Sequence, residues 1–394
     1  MHISILCPDA ASNCMGRVSL LARMLQKNHH VEIVGALLGE SLWQPLVGDD
    51  SLLCTTFALR GAVPLGDIRR LLGAVRGDVV YACKPLMTSF GIGLIQRVAA
   101  SRKLLLDIDD WDRGFIRELY AGKGILTRIR FFMKSHRTLY APHAFLNAWC
   151  MEKLVRCADG ITVSNRFLQK KFGGELIWHV RDTEIFRPDR FDRETARQHY
   201  GIAQDKKIIL FLGTPRPWKG LDDLIDAVQL IKEQAVMLVV VGLHDDPYCR
   251  TIIARATSVL GERFLGFGMQ PFSAVPKFLA AADVVVIPQK KNAATIGQVP
   301  AKVFDAMAMA KPIIGTAVSD MPEILDGCGW IVEPDKPACL ATALEYVFAH
   351  PREAVYRGKA ARQKCVERYS VMAMEQRLEN LLQSLGKARQ RRAS

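Results

Sequence analysis

A chain of 394 residues exceeds one ordinary hydrophobic core and suits two domains. With 49% hydrophobic and 24% charged residues it is no disordered polymer, and no apolar run approaches the roughly 20 residues that span a bilayer. A formal charge of +13 favours anionic partners such as nucleic acid, acidic lipid head groups or phosphorylated small molecules. Ten cysteines without a CxxC pair fit a reducing cytoplasm better than a disulfide or zinc framework.

In chain order the first expected strand is "HISILC", with no basic leader before it and no cleavage site after it, which does not read as a signal peptide. "CPDAASNCMGRVSLLARMLQ" then reads as a strand end, a polar loop, Gly16 and a helix. The runs "VEIVGAL", "DVVYAC", "KLLLDI", "GITVS" and "LIWHV" complete the first half. "KIILFLG", "AVMLVVVG", "DVVVIP", "KPIIGT" and "GWIVEP" supply the second. These runs are short, apolar and rich in β-branched residues, as for parallel strands buried on both faces. Amphipathic stretches such as "KGLDDLIDAVQLIKEQ" separate them, which predicts right-handed βαβ units in two doubly wound sheets. The pattern resets at "HVRDTEIFRPDRFDRETARQHYG" (179–201), polar and strandless, so the linker is placed near 182–192. Ligands of such sheets bind beyond the carboxyl ends of the strands, so two facing domains are expected to enclose a cleft there.

Four stretches carry candidate chemistry. In "LLLDIDDWD" (104–112) the carboxylates Asp107, Asp109, Asp110 and Asp112 crowd a strand end, where like charges raise at least one pKa unless paired or solvated. They suit a divalent cation, an acceptor hydroxyl held or deprotonated by a carboxylate, or helix capping with pairing to Arg113 or Arg117. From 113 to 137, Arg113, Arg117, Lys123, Arg128, Arg130, Lys134 and Arg137 face one acid, Glu118, and interleave with Phe115, Ile125, Leu126, Ile129, Phe131, Phe132 and Met133. That segment reads either as an amphipathic surface for anionic lipid or as an internal helix with a solvated basic face. The tail residues Lys387, Arg389, Arg391 and Arg392 would add attraction.

The third stretch is "LFLGTPRPWKGLDDLI" (210–225). Gly213 ends a strand, Arg216 and Lys219 follow, and Gly220 opens a helix whose N–H groups favour an anion. It reads as an anion site or as a solvated βα loop. In the fourth, "VPAKVFDAMAMAKPIIGT", Pro300 suits a first helical turn and Lys302 and Asp305 share a face, as a diphosphate cation and a ribose carboxylate or as a surface ion pair. The isolated histidines, His136 and His143 in helical stretches and His179 at a strand end, are expected to be structural.

"GTPRPWKGLDDLIDAVQLI", "VPAKVFDAMAMAKPIIGTAVSDMPEIL" and "CADGITVSNRFLQKKFGG" with "RDTEIFRPD" together resemble the family 4 retaining glycosyltransferases of GT-B fold, over nearly the whole chain. The resemblance implies that Arg216 and Lys219 bind the diphosphate of a nucleotide sugar, helped by Lys302 and Gly213. It implies ribose binding by the last acid of an E-x7-E motif, here Asp305. The first acid would fall on Gly297 and is absent, which leaves the donor sugar to the backbone from Thr295 through Gly297 to Gln298. Gly16 matches a glycine that lets substrate approach the first loop. An aspartate stands where the family has a histidine, so Asp107 and Asp109 are the catalytic or acceptor-orienting candidates.

The fold expected is α/β, two Rossmann-like domains (GT-B) at 1–185 and 186–365, a helix at 366–386 crossing back to the first domain, and a basic tail at 387–394. The function implied is retaining transfer of a sugar from a UDP- or GDP-linked donor to an acceptor hydroxyl, in cell-surface polysaccharide or glycolipid synthesis. No metal or other cofactor is expected to be required. The acceptor is expected to be a glycan or lipid-linked, with the protein cytoplasmic and peripheral on the inner membrane face through Arg128, Arg130, Phe131, Phe132 and Lys134. No nucleic-acid partner is expected. The competing readings are a sugar-nucleotide epimerase of the same fold, an inactive GT-B partner and a basic nucleic-acid-binding protein.

Overall fold

Seven strands pair side by side, all parallel, in the order β3-β2-β1-β4-β5-β6-β7. They are β1 (His2–Cys7), β2 (His30–Leu37), β3 (Cys54–Ala58), β4 (Val79–Cys83), β5 (Lys103–Ile108), β6 (Gly160–Val163) and β7 (Glu175–Leu176). A second parallel sheet has the order β10-β9-β8-β11-β12-β13, from β8 (Lys207–Leu212), β9 (Val236–Leu243), β10 (Phe264–Gly268), β11 (Val284–Ile287), β12 (Ile313–Thr316) and β13 (Trp330–Val332). Helices connect successive strands in both, except that β2 and β3 are joined through a single 3-10 turn at Gln44–Leu46, and each sheet is doubly wound. The central strands β1, β4, β8 and β11 are buried almost throughout because helices cover both faces. Order reverses between β1 and β4 in one sheet and between β8 and β11 in the other, and the crevice outside such a switch point is where this architecture binds ligands.

This is a computed structural model, describing all residues except 62, 63, 136, 137 and 394 and the side chains of Lys134 and 386–393. His136, Arg137, the Lys134 side chain and the tail cations Lys387, Arg389, Arg391 and Arg392 therefore lie outside the described residues. The chain divides into two units, Met1–His179 with Met374–Ser394, and Val180–Ala373. The long helix Val371–Ala393 is held to the first unit by Lys27–Glu375 (2.8 Å) and His29–Glu379 (2.9 Å). In the second unit Ile209, Phe211, Leu224, Val228, Leu238 and Val286 build one core with Leu340 and Leu344.

The structure departs from the sequence pattern in specific places. Strands β3 (CTTFA) and β10 (FLGFG) are edge strands with partly exposed side chains, and neither carries the continuous β-branched run of the central strands. "LIWHV" contributes only β7: past Leu176 the carbonyls of Ile177 and Trp178 turn to accept from Arg17 at 2.8 Å each, and His179 lies outside any strand. His143 sits in a turn before the helix Phe145–Leu154. Pro300 precedes the N-cap, Ala301, of a short helix that begins at Lys302.

Candidate functional site

In the second unit, Phe211, Lys219, Ile287, Pro288, Gln289, Pro300 and Lys302 line one pocket at the carboxyl ends of β8 and β11. Two glycines make it possible. Gly213, at φ +107°, has a backbone conformation L side chains rarely adopt, and a Cβ there would lie 2.9 Å from Lys302 Nζ. Gly220, at φ +67°, caps the helix Leu221–Leu230, and a Cβ there would collide with the Pro288 carbonyl. The basic loop is thereby pressed against the end of β11.

Two cations meet in this pocket, Lys219 from the loop and Lys302 from the helix Lys302–Ala308, while Arg216 of the same loop pairs outside the lining residues. Lys302 is enclosed, with its Nζ 4.7 Å from the Phe211 ring centroid and no ion pair among the described residues. Burial pushes its ammonium well below the ordinary lysine range, Lys219 pushes the same way, and Asp305 opposes them. Lys219 Nζ donates to the Thr214 carbonyl at 2.7 Å. Arg216 Nη1 donates to Asp246 Oδ2 at 2.6 Å and lies 3.4 Å from His244 Nε2. Partial burial favours the neutral acid at Asp246, but the Cys249 N–H, Arg216 and His244 hold it down at about 2.

One expectation about this loop is corrected. The helix after Gly220 carries Asp222 and Asp223 in its first turn, and Lys290 Nζ meets them at 2.9 and 3.0 Å. Its N-terminal partial charge is already compensated, so the side-chain cations carry the positive field. His244, Asp246 and Cys249 could hold a metal, having ligand atoms within 4.8 Å of one another. Asp246 Oδ2 already serves both Arg216 and His244 Nε2 (2.7 Å), which leaves the group a cation partner in place.

Asp305 is buried and ion-paired with Arg181 Nε, a residue the sequence reading passed over. Arg181 in turn donates to the Val180 carbonyl at 2.8 Å, and its backbone bonds Tyr369 and Val371. Thr295 is fully buried, its Oγ1 donating to the Lys290 carbonyl at 2.6 Å, so it shapes the loop from inside instead of facing a ligand. Gln298 Oε1 accepts from Gln289 Nε2 at 3.4 Å, and Gly297 lies in the turn beside it.

In the first unit the acidic cluster resolves into two groups. Asp107 is wholly buried; Arg17 grips both its oxygens at 2.8 and 2.9 Å and Thr162 Oγ1 adds 2.7 Å. Its oxygens are occupied, so the expectation that it meets an acceptor is withdrawn: it anchors the fold. Lys84, at φ +64° just past β4, holds the rest, with Nζ 3.0 Å from Asp109, 2.9 Å from Asp110 and 3.5 Å from Asp112. Arg113 pairs with Glu152 at 3.0 Å instead. Although burial favours the neutral acid, Lys84 and then His179 hold Asp109 below the usual carboxylate range. Burial, with Asp110 and Asp109 adding to it against Lys84, pushes Asp112 up to about 6, and its Oδ2 is enclosed without a hydrogen-bond partner. Gly16 lies inside the helix Cys14–Leu25, where a Cβ would make an ordinary contact with the Trp43 ring at 3.5 Å.

On the helix Ile125–Ser135, Ile125, Leu126, Ile129 and Met133 are 52–74% exposed, and Phe132 is exposed beside them. Phe131 is half-buried, edge-on to Tyr120, and Arg128 and Arg130 are exposed. No helix among the described residues is long and apolar enough to cross a membrane.

Residues 206–350 match the family model "Glycosyl transferases group 1". Trehalose synthase from Pyrococcus horikoshii is 27% identical over 52% of this chain and 49% of its own length. D-inositol 3-phosphate glycosyltransferase from Corynebacterium aurimucosum is 28% identical over 62% of each. The chain thus spans about half the length of such curated relatives. Among solved structures, Anabaena Alr3699/HepE in complex with UDP-glucose superimposes with a TM-score of 0.76 at 17% identity, covering 98% of this chain and 100% of that one. WaaG, a glycosyltransferase involved in lipopolysaccharide biosynthesis, gives 0.66 at 14% identity over 97% and 99%. The matched domain, residues 206–350, is built around the pocket of the second sheet and is similar to the group 1 glycosyltransferases, and the two sheets share the GT-B fold of those structures.

Proposed function

We propose that the protein transfers a sugar from a nucleoside diphosphate sugar to an acceptor hydroxyl, with retention at the anomeric carbon. The observation that carries this is Lys302: an enclosed ammonium beside Lys219, in a pocket at the switch point of a group 1 domain, with no ion pair among the described residues. A diphosphate supplies the missing negative charge. As the bond from the anomeric carbon to the diphosphate oxygen breaks, Lys302, Lys219 and Arg216 would stabilise charge developing on the leaving group, without reorganising at that moment. Arg216 would exchange Asp246 for phosphate. Asp305, held by Arg181, would accept from a ribose hydroxyl, with backbone near Gly297 and Gln298 close to the sugar.

The first unit is assigned the acceptor, with Asp109 and Asp112 able to orient or deprotonate its hydroxyl; no cofactor is required in this reading. The exposed apolar and basic residues of Ile125–Ser135 suit an anionic membrane surface, which fits a lipid-linked acceptor in surface glycan or glycolipid synthesis and a peripheral, cytoplasmic position. Two structural neighbours lie in the same direction: WaaG, involved in lipopolysaccharide biosynthesis, and Alr3699/HepE, solved with UDP-glucose.

The test is a thermal-shift and transfer assay with UDP, GDP and their sugars on the wild type and Lys219→Ala. A bound diphosphate raises the wild-type melting temperature by mass action. The variant keeps its ligand-free melting temperature and loses at least tenfold in affinity, the order expected for one charge-assisted contact. Turnover unchanged in Lys219→Ala removes the diphosphate assignment; no response to any nucleotide removes the function.

A further inference from the structure

We infer that Gln289 is the residue that reads the sugar of the donor; this rests on the proposed donor site and adds a specificity determinant to it. Gln289 follows β11 and lines the same pocket as Lys219 and Lys302, with 2% of its surface exposed. Its Nε2 donates to Gln298 Oε1 at 3.4 Å, and Thr316 Oγ1 donates to its backbone carbonyl at 2.7 Å. Its side-chain Oε1 is enclosed and has no hydrogen-bond partner. Buried amide oxygens are nearly always paired, because an unpaired one forfeits its hydration with nothing in return. One left unpaired in the lining of a ligand pocket calls for a donor from the ligand.

The chemistry narrows which donor. The cations beside it seek phosphate oxygens, and a diphosphate at neutral pH has no O–H to give. An amide Oε1 can only accept, so its partner is a hydroxyl or amide N–H on the part of the ligand next to the diphosphate. In a nucleotide sugar the ribose and the sugar flank the diphosphate on its two sides, and with the ribose given to Asp305 the sugar is the one left for Gln289. At Gly297, where a carboxylate would stand in the E-x7-E pattern, there is no side chain at all, and the Gln289–Gln298 pair offers a neutral polar surface close by. Gln289 thus lets the site tell a nucleotide sugar from the bare diphosphate that remains after transfer.

The experiment is calorimetric titration of wild type and Gln289→Met with UDP, GDP and a panel of their sugars, beside ligand-free melting of both proteins. Methionine has similar volume and no acceptor to leave unpaired. The wild type is expected to bind a sugar nucleotide more tightly than its parent diphosphate. Gln289→Met is expected to lose roughly tenfold for the sugar nucleotide and nothing for the diphosphate, the scale of one hydrogen bond. Its ligand-free melting temperature is expected to stay or rise, whereas a purely structural glutamine would lower it. Equal loss for both ligands, no loss for either, or a wild type indifferent to the sugar overturns this inference while leaving the diphosphate site standing. A wild type that binds no nucleotide overturns the donor site itself.

Discussion

Lys302 is where one residue decides most. Its depressed pKa means the ligand-free protein holds that proton weakly, while an arriving diphosphate restores it. Nucleotide binding is therefore expected to take up a proton, and affinity to rise as pH falls through the depressed pKa. Titration of UDP or GDP at several pH values from 6 to 10 in buffers of different ionisation enthalpy measures this; zero uptake throughout, or uptake unchanged in Lys302→Met, would contradict it. Asp112 gives the opposite test in the first unit. Its pKa is raised from 3.8 to about 6, so the fold holds the acid's proton more tightly than the unfolded chain does. That stability is present below about pH 4 and lost as pH rises through about 6, by on the order of 3 kcal/mol. Asp112→Asn cannot ionise, so its urea midpoint relative to wild type should climb between pH 4 and 7. A constant difference would show that Asp112 is not shifted. The sequence reading foresaw a raised carboxyl in this cluster. It could not foresee which one, because Lys84 and Arg17 reach Asp109 and Asp107 only through the fold.

Among the elements, the helix Ile125–Ser135 makes the sharpest claim. Four large apolar side chains there are more than half exposed, with Arg128 and Arg130 on the same helix. Removing positive charge near an anionic surface costs about 1 kcal/mol per residue. Arg128→Glu with Arg130→Glu should weaken binding to phosphatidylserine-containing vesicles by well over tenfold, leaving nucleotide affinity unchanged. Wild type that ignores such vesicles in a sedimentation assay would end the proposal. Other elements show what pattern recognition can reach. Central strands such as β1, β8 and β11 were legible because burial on both faces demands continuous apolar runs. The edge strands β3 and β10 were not, because partly exposed positions need no continuous β-branched run: β3 mixes in two threonines and β10 is interrupted by glycine.

At the scale of the whole molecule, each unit has its own sheet, and the buried pair Arg17–Asp107 ties together three distant segments of the first: the helix Cys14–Leu25, β5 and the chain after β7. Arg17→Met leaves a buried carboxylate uncompensated, a loss of about 3–5 kcal/mol. Calorimetry should show a lowered transition for the first unit, with the nucleotide-responsive transition of the second unaffected. A single transition, lowered and equally responsive to nucleotide, would show that the two units melt as one.

What the sequence by itself determined is the class of fold and a resemblance to one family, because alternating apolar strands and amphipathic helices admit few topologies and the basic loop and "VPAKVFDAM" are local signatures. It also placed Arg216, Lys219, Lys302 and Asp305 as donor-site candidates before any coordinates. Tertiary structure alone decided partners: Arg181 on Asp305, Arg17 on Asp107, Lys84 among three aspartates, and Gln289 with an unpaired oxygen beside Lys302. The physical reason is that burial and pairing are properties of groups far apart in the chain, and one sequence carries no record of which distant charge a buried group will meet.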